Sequence, residues 1–191
     1  MELILASASP RRKELLSRIT SHFRVEVPST SEVLPGRILP QQAVELLALQ
    51  KAQEVFGRYN NCAVVGADTV VALEDEIFGK PRDEVQATQM LKALSGKSHT
   101  VYTGVAVLSP SVRDIFSVVT EVEFYPLTIE EISWYISTGE PLDKAGAYGI
   151  QGLGSLFVQS VQGDFFNVMG LPIARLWRVL SQNGILCKNK S

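Results

Sequence analysis

Cysteine and histidine are scarce in this chain, with two of each in 191 residues. Cys62 and Cys187 lie far apart and make no metal-type or redox-type spacing, and His22 and His99 show no ligand spacing either. A disulfide between the two cysteines stays open, but nothing in the sequence demands it. Ser7 and Ser9 lack a partnered histidine, so a serine-hydrolase triad is unsupported. Long apolar runs are missing too. The N-terminal stretch from Leu3 to Ala8 is far too short for a signal peptide or a membrane span, and its basic residues follow the apolar part. No repeat or low-complexity tract occurs. Charge of one sign does not accumulate: the net charge is -2 with 20% charged residues, which argues against extended double-stranded nucleic acid as a main partner. The expectation is a soluble, cytoplasmic protein with no membrane segment. With 46% apolar residues, it can bury a real core as one domain over residues 1–191, built as two lobes.

What is present begins with a carboxylate in an apolar run. Residues 63–73 read Ala-Val-Val-Gly-Ala-Asp-Thr-Val-Val-Ala-Leu, with Asp68 in the middle. A continuous β-branched run is the mark of a strand buried on both faces. An ionised carboxylate there loses its hydration and needs a cation, a metal or several donors. Asp68 is therefore either the partner of a core Arg or Lys, or at a strand end, or an active-site acid. Gly66 beside it allows a bulge or a close backbone approach.

Around that strand the pattern alternates. Residues 2–6 read as a strand, followed by a helix with Ser9 as N-cap and Pro10 in its first turn. Residues 22–27 read as a second strand, and 40–58 as a long helix. A helical stripe of Ala87, Met90, Leu91 and Leu94 follows Pro81. Two long strands at 99–108 and 114–125 read as antiparallel neighbours. Thr128 and Glu131 form a capping-box pattern. A strand pair is expected at 155–168, and a final helix carries Ile173, Leu176, Trp177 and Leu180. The fold class is α/β: a mixed, largely antiparallel central sheet flanked by helices.

Four segments carry groups suited to phosphate chemistry. Ser7-Ala8-Ser9-Pro10-Arg11-Arg12-Lys13 puts three cations at a helix start, where the helix dipole favours an anion. That conflict is relieved by a bound phosphate, which Arg can hold by two parallel hydrogen bonds. A solvated basic turn is the alternative, and the glycines of a Walker loop are missing. Lys51 falls in the middle of the apolar face formed by Val44, Leu47, Ala48, Ala52 and Val55. It either snorkels to solvent or points into a site. Gly79-Lys80-Pro81-Arg82 follows the Asp68 strand through a turn, and a hairpin would return Lys80 toward Asp68. Residues 143–152 are glycine-rich, which lets backbone approach a ligand, and Gln151 offers a carbonyl and an amide that can read a base edge. Glu32 is a loop acid that matters only if its loop folds over Asp68. Cations neutralise oxygens, a metal polarises them and a base orients water in phosphoryl transfer.

These residues resemble a known family. Leu5-Ala-Ser-Ala-Ser-Pro-Arg-Arg, Gly66-Ala-Asp-Thr, Gly79-Lys-Pro-Arg, Leu94-Ser-Gly with His99 and Thr103-Gly104, Asp143-Lys-Ala-Gly-Ala-Tyr-Gly-Ile-Gln-Gly and Gly170-Leu-Pro occur in the order found in Maf proteins. Those are nucleoside triphosphate pyrophosphatases related in fold to the inosine triphosphatases. The resemblance covers Leu3 to about Leu180. It implies a sheet with helices around it and a deep cleft between two lobes. It implies hydrolysis between the α- and β-phosphates, giving a nucleoside monophosphate and pyrophosphate, with a divalent cation (Mg2+ or Mn2+). Asp68 would be the catalytic acid and, with Glu32, would hold the metal. Ser7, Arg12, Lys51 and Lys80 would line the phosphates. Arg11, Thr69 and Gln151 match the residues of the branch that prefers dTTP and UTP, where a 7-methyl-GTP branch carries Trp, Gln and Glu. The rival expectations are a 7-methyl-GTP or other purine pyrophosphatase, and a non-catalytic regulator of cell division or septum formation. The family also implies a homodimer.

Overall fold

The computed structural model describes residues 1–29, 36, 38–74 and 76–186. Seven strands form one sheet: β1 (Leu3–Ala6), β2 (Arg24–Glu26), β3 (Ala63–Leu73), β4 (Glu76–Phe78), β5 (Ser98–Ser109), β6 (Val112–Phe124) and β7 (Val158–Gln162). Their order is β2-β1-β3-β5-β6-β7, with β4 paired to β3 off that path. β1 runs parallel to β2 and β3, whereas β3–β4 and β6–β7 are antiparallel. β5 and β6 are joined only by Pro110 and Ser111, a connection too short for anything but an antiparallel pair. The helices are α1 (Pro10–Ser17), α2 (Pro40–Arg58), α3 (Glu84–Leu94), α4 (Ile129–Ser137), α5 (Phe165–Val168) and α6 (Ile173–Gln182). The mixed α/β class with a central sheet and flanking helices is as the sequence predicts. Among the described residues, no helix is long and apolar enough to cross a membrane.

The chain clusters into two compact units. One holds Met1–Asp68, Thr103–Val118 and Gly170–Ser191; the other holds Thr69–Tyr102 and Val119–Met169.

In the first unit, α2 lies on the sheet through its small residues. Ala43, Val44, Leu47, Ala48, Ala52 and Val55 are buried, the face that the helical period predicts. Ala48, Ala52 and Val55 pack with Ile4, Ala6, Val64, Ala106 and Leu108. Two glycines set how close the helix comes. A Cβ on Gly66 would stand 2.3 Å from the Ala48 carbonyl oxygen, and one on Gly104 2.3 Å from the Val44 carbonyl oxygen. The helix backbone thus rests on strand backbone at two points, with no side chain between. Gly66 serves the close approach, not a bulge.

The second unit is built around α3, α4 and an aromatic cluster. Ala87, Met90, Leu91 and Leu94 are the buried stripe of α3. Thr128 caps α4, and its capping box with Glu131 is complete. The strand pair expected at 155–168 is not formed. Leu153–Phe157 is a 3-10 turn, Val158–Gln162 a single strand, and Phe165–Val168 a short helix. The apolar residues there suggest a strand, but Asp164 accepts hydrogen bonds from the Phe166 and Asn167 N–H groups and starts a helical turn instead. Asn167 then anchors that turn, donating to the Val101 carbonyl at 3.0 Å and the Thr120 hydroxyl at 2.9 Å.

His99 is buried against the rings of Phe124 and Tyr148, both edge-on, and its Nε2 lies 2.9 Å from the Tyr148 hydroxyl. Burial lowers its pKa to about 4, only partly opposed by the Lys97 backbone. The unfolded chain therefore takes up a proton first as pH falls. Stability from neutral His99 is intact above its ordinary 6.5 and is lost between there and about 4. The full change is worth about 3 kcal/mol. His99→Phe is expected to melt at a lower temperature at neutral pH but to show a flatter melting profile across that window. An unchanged slope in the variant would assign the acid sensitivity to another group.

Candidate active site

The site in the first unit is assembled at the carboxyl end of β1, beside the middle of its parallel neighbour β3. β1 ends at Ala6, opposite Gly66 of β3, so Ser7 and Ala8 continue beside Ala67 and Asp68. Ligands of open α/β sheets bind at such ends. The turn is tightly tied. The Ser7 N–H donates to the Leu5 and Glu26 carbonyls, both at 3.1 Å, and the buried Ser7 hydroxyl oxygen accepts the Ser9 N–H at 3.1 Å. Ser9 caps α1, accepting the Arg12 N–H at 3.5 Å, and Pro10 opens the helix. No acid stands in its first turn. Arg11 and Arg12 are half-buried. Arg12 Nε donates to the Gly170 carbonyl at 2.8 Å, which fixes a cation at the positive end of the helix dipole. A wholly solvated basic turn does not fit that anchoring.

Lys51 does not snorkel. Its Nζ lies 2.5 Å from Asp68 Oδ1, and the two side chains are only 13% and 11% exposed. The seating of α2 on Gly66 and Gly104 makes this reach possible. Within the sheet's apolar interior, the pair answers the requirement that a buried carboxylate find a cation. This is the core-cation partner that one of the sequence readings of Asp68 names. What exceeds a structural ion pair is its neighbour, the cation-rich start of α1 one strand away.

In the second unit, Thr69 is half-buried and Lys80 exposed. β4 pairs with β3 through Val71↔Phe78, so the antiparallel register carries Lys80 back to the level of Thr69. The ladder itself ends at Phe78. Gly79 is held by its carbonyl, which accepts the Gly146 N–H at 3.1 Å. Gln151 is exposed on a turn closed by the Gly152 N–H donating to the Gly149 carbonyl at 3.1 Å. Glu32 lies outside the described residues.

Two residues that sequence reading passes over hold that turn. Glu140 Oε1 accepts from the Tyr135 hydroxyl at 2.8 Å and from the Gly154 N–H at 3.2 Å, and Oε2 accepts the Leu153 N–H at 2.9 Å. The Tyr135 oxygen accepts the Gly149 N–H at 3.1 Å. Burial raises the Glu140 pKa, but the Leu153 N–H, the Tyr135 hydroxyl, the Gly154 N–H and Lys144 outweigh it, and the carboxyl ends below its ordinary value. The glycines of this segment now have an internal explanation. A Cβ on Gly152 would lie 2.4 Å from both Glu140 carboxylate oxygens, and one on Gly154 2.7 Å from the Tyr135 hydroxyl. Tyr135 reads as one more core residue of a helix, and Glu140 as a loop acid. A signal was available in the close glycines, whose partner sequence alone does not name.

Among the described residues, no group of three His, Cys, Asp or Glu is placed to hold a metal ion. An all-protein cage is therefore not built from them. Asp68 offers hard carboxylate oxygen, the donor type that suits Mg2+ or Mn2+, ions held through one or two carboxylates plus substrate phosphates and water. The donor chemistry fits.

Known proteins resemble this chain over nearly its whole length. The Maf-like protein family matches residues 2–183. A dTTP/UTP pyrophosphatase of Geobacillus sp. (strain WCH70) is 50% identical over 183 residues, covering 96% of this chain and 98% of that one. A dTTP/UTP pyrophosphatase of Bacillus cytotoxicus is 52% identical over 181 residues, 95% of each chain. Among solved structures, the Staphylococcus aureus Ham1 protein is similar over 96% of this chain and 100% of its own, with a TM-score of 0.59 at 14% identity, a likeness of fold alone. A match that runs nearly end to end, with half the residues identical in these relatives, means that the chain belongs to the Maf-like proteins.

Proposed function

We propose that this protein hydrolyses dTTP and UTP between the α- and β-phosphates, releasing the nucleoside monophosphate and pyrophosphate. The observation that carries the reading is the Lys51–Asp68 pair beside the basic start of α1, in a chain half identical to proteins named dTTP/UTP pyrophosphatases.

The residues divide the work by chemistry. Asp68 accepts the proton of the attacking water, and Lys51 holds the carboxylate in place and offsets charge that builds on the phosphate. Ser7, the α1 N-terminus and the anchored Arg12 hold phosphate oxygens, with Lys80 adding a second cation. Asp68, with Glu32 as a further carboxylate, would hold Mg2+ or Mn2+. When bound, the ion neutralises phosphate charge and polarises the scissile phosphoryl group. Arg11, Thr69 and Gln151 choose the base. A uracil-type edge presents an N–H donor beside a carbonyl acceptor, and a carboxamide pairs with both.

Pyrophosphate release from dTTP, UTP, CTP, GTP and 7-methyl-GTP, with and without Mg2+ or Mn2+, tests this. Metal-dependent release from dTTP and UTP is expected, and chelation should abolish it. Gln151→Glu should lower kcat/KM for UTP by about tenfold to a hundredfold, because a carboxylate cannot donate to the base carbonyl. Release from 7-methyl-GTP in preference to UTP would overturn the base assignment. No release from any nucleotide would overturn the reaction.

A further inference from the structure

The turn that presents Gln151 is held from outside itself. Three backbone N–H groups fix it, one on Gly149 before Gln151 and two on Leu153 and Gly154 after it. All three are accepted by a single hydrogen-bonded pair, the Tyr135 hydroxyl and the Glu140 carboxylate. Tyr135 is fully buried on the last turn of α4, where its ring packs edge-on against Phe157 at 5.0 Å. One half of the anchor is thus a rigid helix, and Glu140 opens the 3-10 turn that follows it. The Tyr135 oxygen and each Glu140 carboxylate oxygen accept one N–H of the turn, and Gly152 and Gly154 have no room for a side chain because the pair fills it.

Burial of Gly149 and Gly154 requires some internal acceptor for their N–H groups, but solvent could satisfy the exposed Leu153 N–H, so one charged pair that holds all three goes beyond that requirement. Base choice by one carboxamide does need such fixing, because recognition of a donor–acceptor edge fails when the reading group is misplaced by more than about 0.5 Å. A charged acceptor also holds N–H groups more firmly than a neutral one.

We infer that Tyr135 and Glu140 are positioning residues for nucleotide selection, locking the Gly149–Gly154 turn so that the Gln151 carboxamide meets the pyrimidine edge in one orientation. This rests on the proposed role of Gln151 in reading the base. Neither residue touches the substrate; each acts through the turn. Tyr135→Phe removes the acceptor of the Gly149 N–H and the donor to Glu140 while leaving the ring. Glu140→Gln places an amide N–H where one of three donors now points.

The test is kcat and KM of the full chain for UTP and CTP with Mg2+, alongside melting temperature. Both variants should lower the UTP/CTP ratio of kcat/KM by about tenfold, chiefly through KM for UTP. In a Gln151→Ala background, Tyr135→Phe should lower the ratio no further, since the group it positions is gone. A merely structural role gives a different result: lower melting temperature and equal loss on both nucleotides, with the ratio intact, and that outcome overturns the inference. If Glu140→Gln does not fold, Tyr135→Phe carries the test. A wild-type protein that released no pyrophosphate from UTP would instead defeat the proposed function, and the positioning role would fall with it. A selective wild type whose variants keep the ratio defeats the positioning role alone.

Discussion

Asp68→Asn should lower kcat for dTTP and UTP by about three orders of magnitude, with the protein still folded. The substitution is isosteric. The carboxamide oxygen can still accept from Lys51 Nζ, so the buried ammonium keeps an acceptor, and only the negative charge is lost. That charge has two uses. In the proposed mechanism it takes the proton of the attacking water and helps to hold the metal; in the structure it compensates Lys51, whose side chain is 13% exposed. Loss of the second should show as a lower melting temperature, because a buried charge without its partner is destabilising. Loss of the first should show as failed turnover with substrate binding largely kept, since the cations at the start of α1 are untouched. Pyrophosphate release and a thermal melt separate the two. Turnover within about tenfold of wild type would leave Asp68 as a structural partner of Lys51 and nothing more.

Gly104→Ala should be strongly destabilising, by about 3 kcal/mol or more. The added methyl would lie 2.3 Å from the Val44 carbonyl oxygen, 2.4 Å from its carbon and 2.7 Å from the Glu45 nitrogen. All three are backbone atoms of α2, so no side chain can swing aside, and the helix itself must lift. Gly57→Ala is the matched control. Gly57 is exposed on the same helix with nothing within 4 Å of an added Cβ, and there alanine should stabilise by up to about 1 kcal/mol. Denaturant unfolding of the two variants should therefore move in opposite directions. Equal midpoints would mean that α2 does not sit on Gly104 as closely as described.

How much of this could be read from the sequence depended on whether the relevant physics was local. α2 was legible to its ends, because Pro40 and the small apolar stripe are properties of the helix itself. So was the capping box of α4. Asp68 stood out because charge in a buried strand violates solvation whatever surrounds it. Its partner did not follow, because periodicity placed Lys51 on the apolar face but could not choose between solvent and the sheet. Residues 155–168 were misread because alternating apolar side chains outweighed one capping aspartate. The glycine-rich segment reads as room for a ligand, and the structure also places Glu140 against Gly152. That partner is nonlocal: a glycine announces a close approach, and only the fold says to what. Gly104 carried the same ambiguity.

The bare contacts beneath α2 also bear on how such an enzyme tolerates change over evolutionary time. A helix held off a sheet by interlocking side chains shifts whenever one of those side chains grows or shrinks. Here its height is limited by backbone atoms at Gly66 and Gly104, which no substitution elsewhere alters. Lys51 lies between Ala48 and Ala52, the two residues of α2 that meet Gly66. Its distance to Asp68 is thus buffered against drift in the surrounding core. The apolar interior can be repacked residue by residue while the ion pair stays in register, so mutational freedom in the core and constancy of the Lys51–Asp68 pair come from the same two missing side chains.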